Sequence, residues 1–215
     1  MPADIKIANL RKDYSLQSLS EDDVDVNPIT QFEKWWNEVI ESKIEEPNAM
    51  TLATATKEGR PDARIVLLKG FSDKGFIFFS NYESRKAREL NDNPLASLVF
   101  FWRELERQIR VEGNVKRISS EESDEYFLKR PRESRISAWS SPQSTVIQGR
   151  EKLENAIKEF KLQFPGESVP RPPYWGGYIV IPEVIEFWQG RRNRLHDRIR
   201  YICHGNQWDI ERLAP

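Results

Sequence analysis

The sequence predicts a mainly β fold with helices (α+β), built on an antiparallel sheet or barrel rather than on alternating βαβ units. Three observations carry this. Short apolar runs of strand length recur between residues 50 and 116, divided by brief turn signals. Strand-like runs return near the C-terminal end, between 177 and 212. Between the two blocks lie segments of helical period. Strands at both ends of the chain suggest one barrel with helices inserted between them.

Residues 1–28 carry little periodicity and hold the acidic run Glu21-Asp22-Asp23, so a mobile arm or lid is expected there and a single domain over 29–215. Thr30-Gln31-Phe32-Glu33 reads as a capping box. Phe32, Trp35, Trp36, Val39, Ile40 and Ile44 then share one stripe, which predicts a core-facing helix over 30–46. Met50 to Thr56, Ala63 to Lys69, Phe76 to Ser80, Leu95 to Trp102 and Gln108 to Lys116 read as strands. A short helix is expected at 84–91. Ser119-Ser120-Glu121-Glu122 is a second capping box, opening a helix to Lys129, with further helices at 132–139 and from Arg150 to Leu162. Pro165, Pro170, Pro172 and Pro173 stiffen the loop that follows. The last strands are expected at 177–181, 184–189, 198–203 and 207–212, with Gly205-Asn206 as a hairpin turn.

Composition limits the function classes. Among 215 residues, 33 basic side chains nearly cancel 34 acidic ones, and a net charge of −1 opposes a general nucleic-acid binder. One Cys excludes an internal disulfide and a Cys-rich zinc site, and with two His it leaves little for a metal. The first residues lack the apolar core of a signal peptide, and no apolar run approaches a membrane span, so no membrane partner and a cytoplasmic location are expected. With 11 Phe, 7 Trp and 6 Tyr, the chain is rich in flat rings that build cores, interfaces and walls for planar ligands.

Glycine-loop nucleotide signatures are absent, so a phosphate must be held by side chains. Ser84-Arg85-Lys86, opening a helix after Ser80, combines free N–H groups with cationic donors, although an N-cap followed by solvated bases has the same sequence. Arg64 and Lys69 bracket an apolar strand at odd spacing and so face opposite sides. Tyr126, Arg130 and Ser134 recur at spacing four around a helix end stopped by Pro131, a set that suits a phosphate monoester and equally a polar helix flank. The densest cluster runs from Gln189 to Arg198. There Arg194, His196 and Arg198 alternate after Trp188, placing three cationic or polar groups on one extended face. Nearby cations favour a neutral His196, able to accept a proton or hydrogen bond.

Eight motifs in order then match one family. RIVLLK (64–69), SRKA (84–87), FFW with LERQIRVEG (100–113), YFLKRPRESRISAW (126–139), YWGG (174–177), EFWQG (186–190), RLHDR (194–198) and ERLAP (211–215) resemble the pyridoxamine 5′-phosphate oxidases. The resemblance spans Arg11 to Pro215 and implies an FMN-binding split β-barrel with flanking helices. It implies a homodimer with FMN sites at the subunit interface. Arg64, Ile65, Val66, Leu67, Leu68, Lys69, Phe79, Ser80, Arg85, Lys86, Gln108, Gln143, Ser144, Trp188 and Arg198 would contact FMN. Lys69, Tyr126, Arg130 and Ser134 would hold the substrate phosphate. Arg194, Leu195 and His196 would flank the substrate ring, Arg194 and His196 being the catalytic pair, and Arg11 and Tyr14 belong to a segment that covers it. Phe79-Ser80 stands where the family often has Tyr-Thr, Asp13 replaces a common Glu, and Arg191 and Arg192 add charge without an assigned role.

The implied reaction oxidises pyridoxamine or pyridoxine 5′-phosphate to pyridoxal 5′-phosphate, with O2 as acceptor and H2O2 as product. Two phosphate groups in one cleft repel unless cations separate them, which gives Arg64, Arg85 and Lys86 to one and Lys69 and Arg130 to the other. Two rivals stand beside this: a split-barrel flavin protein of another activity, such as a flavin reductase, and a nucleic-acid module using the interleaved Trp and Arg. The joint presence of Tyr126, Arg130, Ser134 and RLHDR disfavours the first, and the net charge disfavours the second.

Overall fold

The computed structural model describes residues 13–205 and 207–215. Arg11 and the Asn206 half of the expected hairpin turn lie outside them. Among the described residues nine strands, β1 to β9 in chain order, form one sheet in the order β2-β1-β5-β6-β7-β4-β3, with β8 pairing β7 and β9 pairing β8. The chain clusters into two compact units. One comprises 1–47, 98–111 and 183–215, the other 48–97 and 112–182.

The first unit opens with helix α1 (Pro28–Glu41). It starts two residues before the expected capping box because Asn27 caps it, its side chain accepting from the Ile29 N–H, with Pro28 at the first helical position. It stops at Glu41 because Lys43 takes φ 54°, which turns the chain out of the helix and leaves Ile44 beyond it. Phe32, Trp35 and Val39 are buried as expected, whereas Ile40 is half exposed. Phe32 meets Phe100 edge-on at 5.4 Å, and Trp35 meets Phe187 at 5.1 Å. Burial of such rings stabilises by about 1.5–3 kcal/mol each.

The second unit carries β1 (Ala49–Ala55), β2 (Pro61–Leu67), β3 (Gly70–Ser72) and β4 (Gly75–Asn81), then helix α2 (Arg85–Asp92). β1 and β2 form an antiparallel hairpin with Leu52 opposite Arg64. The strand expected to reach Lys69 ends at Leu67. Leu68 N–H turns to Asn48 O at 2.8 Å and Lys69 N–H to Ile77 O at 2.8 Å, so pairing passes to another partner there. β3, too short to show a period, was not anticipated.

β5 (Leu95–Trp102) and β6 (Arg107–Arg117) follow. The Ser119 capping box forms as expected, with reciprocal bonds to Glu122, and opens helix α3 (Ser120–Lys129). Helices α4 (Arg132–Ser140) and α5 (Arg150–Gln163) come next, with Trp139 against Phe160, Phe164 and Tyr174. The two strands expected at 177–181 and 184–189 are one strand, β7 (Trp175–Gln189). It pairs with β4 over 175–180 and with β8 (Asp197–His204) over 184–189, and Pro182 falls between these registers. Gly113 cannot carry a side chain, since a Cβ there would sit 1.9 Å from Ile181 O. β9 (Gln207–Arg212) closes the first unit against β8. No helix among the described residues is long and apolar enough to cross a membrane.

Candidate functional site

In the second unit, the end of β2, β4, α2 and the α3–α4 junction surround a cavity of about 560 Å³. Ile65, Val66, Leu67 and Lys69 line one side, and Phe79, Ser80 and Lys86 another. Tyr126, Arg130 and Ser134 complete it with Gln143 and Trp175. The spacing-four set therefore does converge. α3 ends at Lys129, Arg130 caps it in extended conformation, and α4 starts at Arg132, so the three side chains approach from two helices.

The walls are aromatic. Phe79 and Tyr126 stack at 3.9 Å and 12°, and Phe79 stacks on Trp175 at 5.3 Å. The Arg130 guanidinium lies 4.6 Å over Trp175, and burial pushes its pKa down. Its Nη1 is buried with no hydrogen-bond partner among the described residues. The Lys86 ammonium donates to Ser80 Oγ at 3.2 Å and Gln143 Oε1 at 2.9 Å. Burial, then the Arg64 charge, lowers the Lys86 pKa.

Arg64 and Arg85 were expected beside Lys86, and the structure gives them other partners. Arg64 donates to Thr54 Oγ1 at 2.6 Å, Asp62 at 2.6 Å and Glu89 at 3.2 Å. Arg85 Nε lies 2.9 Å from Glu89 and 3.1 Å from Asp62. Burial alone would raise the Glu89 carboxyl, but bonds from Thr54, Arg85 and Arg64 outweigh it and hold its pKa low. Of the expected phosphate trio, only Lys86 lines the cavity. Leu68 is in the core, and Ser144 is exposed at φ 67° without lining it.

In the first unit, a second cluster forms where β7 meets β8. Trp188 pairs in register with Arg198. The His196 ring lies 4.5 Å from Trp188, and the Tyr14 ring lies 5.7 Å from Trp188 and 5.9 Å from His196. His196 Nδ1 accepts the Arg191 N–H at 3.1 Å. Burial first, then the Arg194 charge, lowers its pKa and favours the neutral ring. With Nδ1 accepting, that neutral ring carries its proton on Nε2. The expected acceptor is therefore a donor at its free nitrogen. Arg194 does not continue the strand face either. β8 begins at Asp197, and Arg194 is exposed at φ 61° in a single 3₁₀ turn, Arg192–Arg194, with Leu195 exposed beside it.

Arg198 donates from Nε and Nη2 to the two oxygens of buried Glu186, at 2.7 and 3.1 Å, and Arg110 reaches the same carboxylate at 2.8 Å. Gln108 is half buried, two residues before Arg110 on β6. Glu186, Glu89 and Asp62 escaped the sequence reading. Their one local signal was a carboxylate inside a strand or on the covered side of a helix, which needs a charged partner.

Comparison with known proteins bears on both clusters. Residues 37–164 match the family model described as pyridoxamine 5′-phosphate oxidase. Residues 175–215 match the pyridoxine 5′-phosphate oxidase C-terminal dimerisation region. The chain is 58% identical over 210 residues to a pyridoxine/pyridoxamine 5′-phosphate oxidase of Paraburkholderia phymatum, covering 97% of this chain and 99% of that one. It is 56% identical over 211 residues to one of Cyanothece sp., covering 98% and 99%. Among solved structures, PhzG from Burkholderia lata, in complex with tetrahydrophenazine-1-carboxylic acid, superposes with a TM-score of 0.88 at 33% identity, covering 95% of this chain and all of that one. An FMN-binding, pyridoxamine 5′-phosphate oxidase-related protein from Nostoc punctiforme shares the fold at a TM-score of 0.70 and 19% identity, covering 89% of this chain. These likenesses bear out the α+β class expected from the strand pattern and the split barrel that the family resemblance implies.

Proposed function

We propose, from the premise that this chain belongs to the pyridoxamine 5′-phosphate oxidase family, that it oxidises pyridoxamine or pyridoxine 5′-phosphate to pyridoxal 5′-phosphate. The observation that carries the reading is the second unit's cavity, where Lys69, Tyr126, Arg130 and Ser134 converge and Arg130 Nη1 is buried without a partner among the described residues. A buried cationic donor of this kind favours an anionic acceptor.

The residues fit a phosphate-bearing planar cofactor. Lys86, Ser80 and Gln143 form a polar group in the cavity, and Phe79, Tyr126 and Trp175 form an aromatic stack beside it. FMN, when bound, would supply the two-electron chemistry of the oxidation, with O2 as the final acceptor and H2O2 as its product. Lys86 with Ser80 would hold the cofactor phosphate, and Lys69, Arg130, Tyr126 and Ser134 would hold the substrate phosphate. By the family resemblance, Arg194 would stack its guanidinium plane on the substrate ring. His196, neutral, donates from Nε2 to the oxygen or nitrogen at the reacting end and orients it, a role that needs no strong base. Trp188 and Arg198 belong to the same flavin-facing set by family resemblance. The active form is a homodimer, a reading supported by the dimerisation-region match over 175–215.

A visible spectrum of purified protein tests this directly. Flavin absorption that bleaches when pyridoxine 5′-phosphate is added without oxygen is expected. Colourless protein that stays inactive with excess FMN would refute it. The likeness to PhzG favours a second reading, a flavin enzyme acting on a carboxylated polycycle. Bleaching by a dihydro- or tetrahydrophenazine carboxylate, with none by pyridoxine 5′-phosphate, would select it.

A further inference from the structure

Glu106 is a buried carboxylate at the tip of the 3₁₀ turn Arg103–Leu105. Its backbone sits at φ 56° and ψ 39°, a left-handed conformation that few residues with a side chain adopt. Such a conformation persists where surrounding bonds over-determine it. Those bonds are present: Gly190 N–H donates to Glu106 O at 2.7 Å, and Gln189 Nε2 donates to the same oxygen at 3.2 Å. The side chain turns elsewhere. Its Oε2 accepts from two successive backbone groups of the N-terminal segment, Ser15 N–H at 2.8 Å and Leu16 N–H at 3.1 Å.

The residue just before this anchored pair is Tyr14, whose ring stands against Trp188 and His196. Gly190 permits the approach, since a Cβ there would meet Tyr14 Cβ at 2.7 Å and Glu106 Cβ at 3.0 Å. The segment has further ties at Leu19 N–H to Asp197 (3.0 Å) and Arg212 to Glu21 (2.6 Å), but Glu106 is the anchor adjoining Tyr14.

We propose that Glu106 is a positioning residue: its carboxylate fastens residues 15 and 16, and so holds the Tyr14 ring against Trp188 and His196. It touches neither substrate nor cofactor and acts through Tyr14. The kinetic part rests on the reading of His196 as the residue at the reacting end. An unfastened segment leaves only a fraction of molecules with the ring in place. Apparent affinity falls by that fraction, while saturating substrate restores the closed form.

Glu106→Gly removes the carboxylate yet suits the left-handed backbone, so the turn itself is not penalised. Glu106→Gln keeps an oxygen that can accept both N–H groups. Each would be made in the full-length, FMN-loaded protein, alone and with Tyr14→Ala. Chymotrypsin cleavage after Leu16 reports release of the segment without reference to activity. Cleavage about 10-fold faster in Glu106→Gly, and near wild type in Glu106→Gln, is expected. The KM for pyridoxine 5′-phosphate should rise about 10-fold with kcat held within about twofold. On the Tyr14→Ala background, Glu106→Gly should add less than about twofold to KM. Unchanged cleavage, or full additivity with Tyr14→Ala, overturns the proposal. A wild-type protein inert towards pyridoxine 5′-phosphate would instead sink the functional reading, and the cleavage rates would still decide the anchor.

Discussion

Arg130 stacks on Trp175 at 4.6 Å with one guanidinium nitrogen, Nη1, buried and without a hydrogen-bond partner among the described residues. A cationic donor in that state is destabilising until an anion meets it. Arg130→Ala should therefore lower kcat/KM for pyridoxine 5′-phosphate about 10- to 100-fold, the worth of one charge-assisted bond. Flavin content, read from the absorbance ratio, should not change. Were wild-type protein to oxidise unphosphorylated pyridoxine as well as its phosphate ester, this role for Arg130 would be lost.

Glu89 binds Arg64 and Arg85 and takes a hydrogen bond from Thr54 at 2.5 Å while being 5% exposed. Removing its charge leaves two guanidinium groups short of a partner. Glu89→Gln should cost about 3 kcal/mol at neutral pH, seen as a lower calorimetric Tm. Its folded-state pKa, like that of Asp62, lies below the ordinary carboxylate value, so this stability is present above about pH 4. It is lost as pH falls through the lower folded values. A variant with wild-type Tm and wild-type acid unfolding would show that the pairings contribute nothing.

His196 is expected to be neutral at pH 7, because burial and then the Arg194 charge lower its pKa. Protonation thus favours the unfolded chain, and the His196 contribution to stability falls away as pH drops below about 6.5. An NMR titration, assigned with His196→Asn, should give a midpoint below that value. A midpoint at or above it would mean that the folded chain does not disfavour the charged ring.

The dimerisation-region match predicts a homodimer in solution. Sedimentation equilibrium should give twice the 25.3 kDa chain mass. A fully active species at the single-chain mass would end the idea.

Much of the fold was legible because its signals are local. The spacing of Phe32, Trp35 and Val39 reports one buried helix face, and Ser119 with Glu122 reports a helix start. Both depend on residues within two turns of each other. The cavity set was legible in the same sense: Tyr126, Arg130 and Ser134 are neighbours in sequence, and the motifs around them carry the family likeness.

Boundaries were less legible, because they depend on partners elsewhere in the chain. β2 stops at Leu67 when the Lys69 N–H finds Ile77, and β7 runs on through Pro182 because it changes neighbours there. Arg194 left its expected strand face for a turn whose φ of 61° no residue pattern announces.

By itself, then, the sequence determined which segments would coil or extend, and where cationic side chains cluster along the chain. Only the tertiary structure decided which carboxylate meets which cation. Glu89 lies 25 positions from Arg64 and Glu186 lies 76 from Arg110, yet these carboxylates occupy their guanidinium groups while Lys86 and Arg130 face the cavity. The physical reason is that a buried charge must find its opposite wherever the fold brings one, and hydrophobic periodicity records burial without recording the partner.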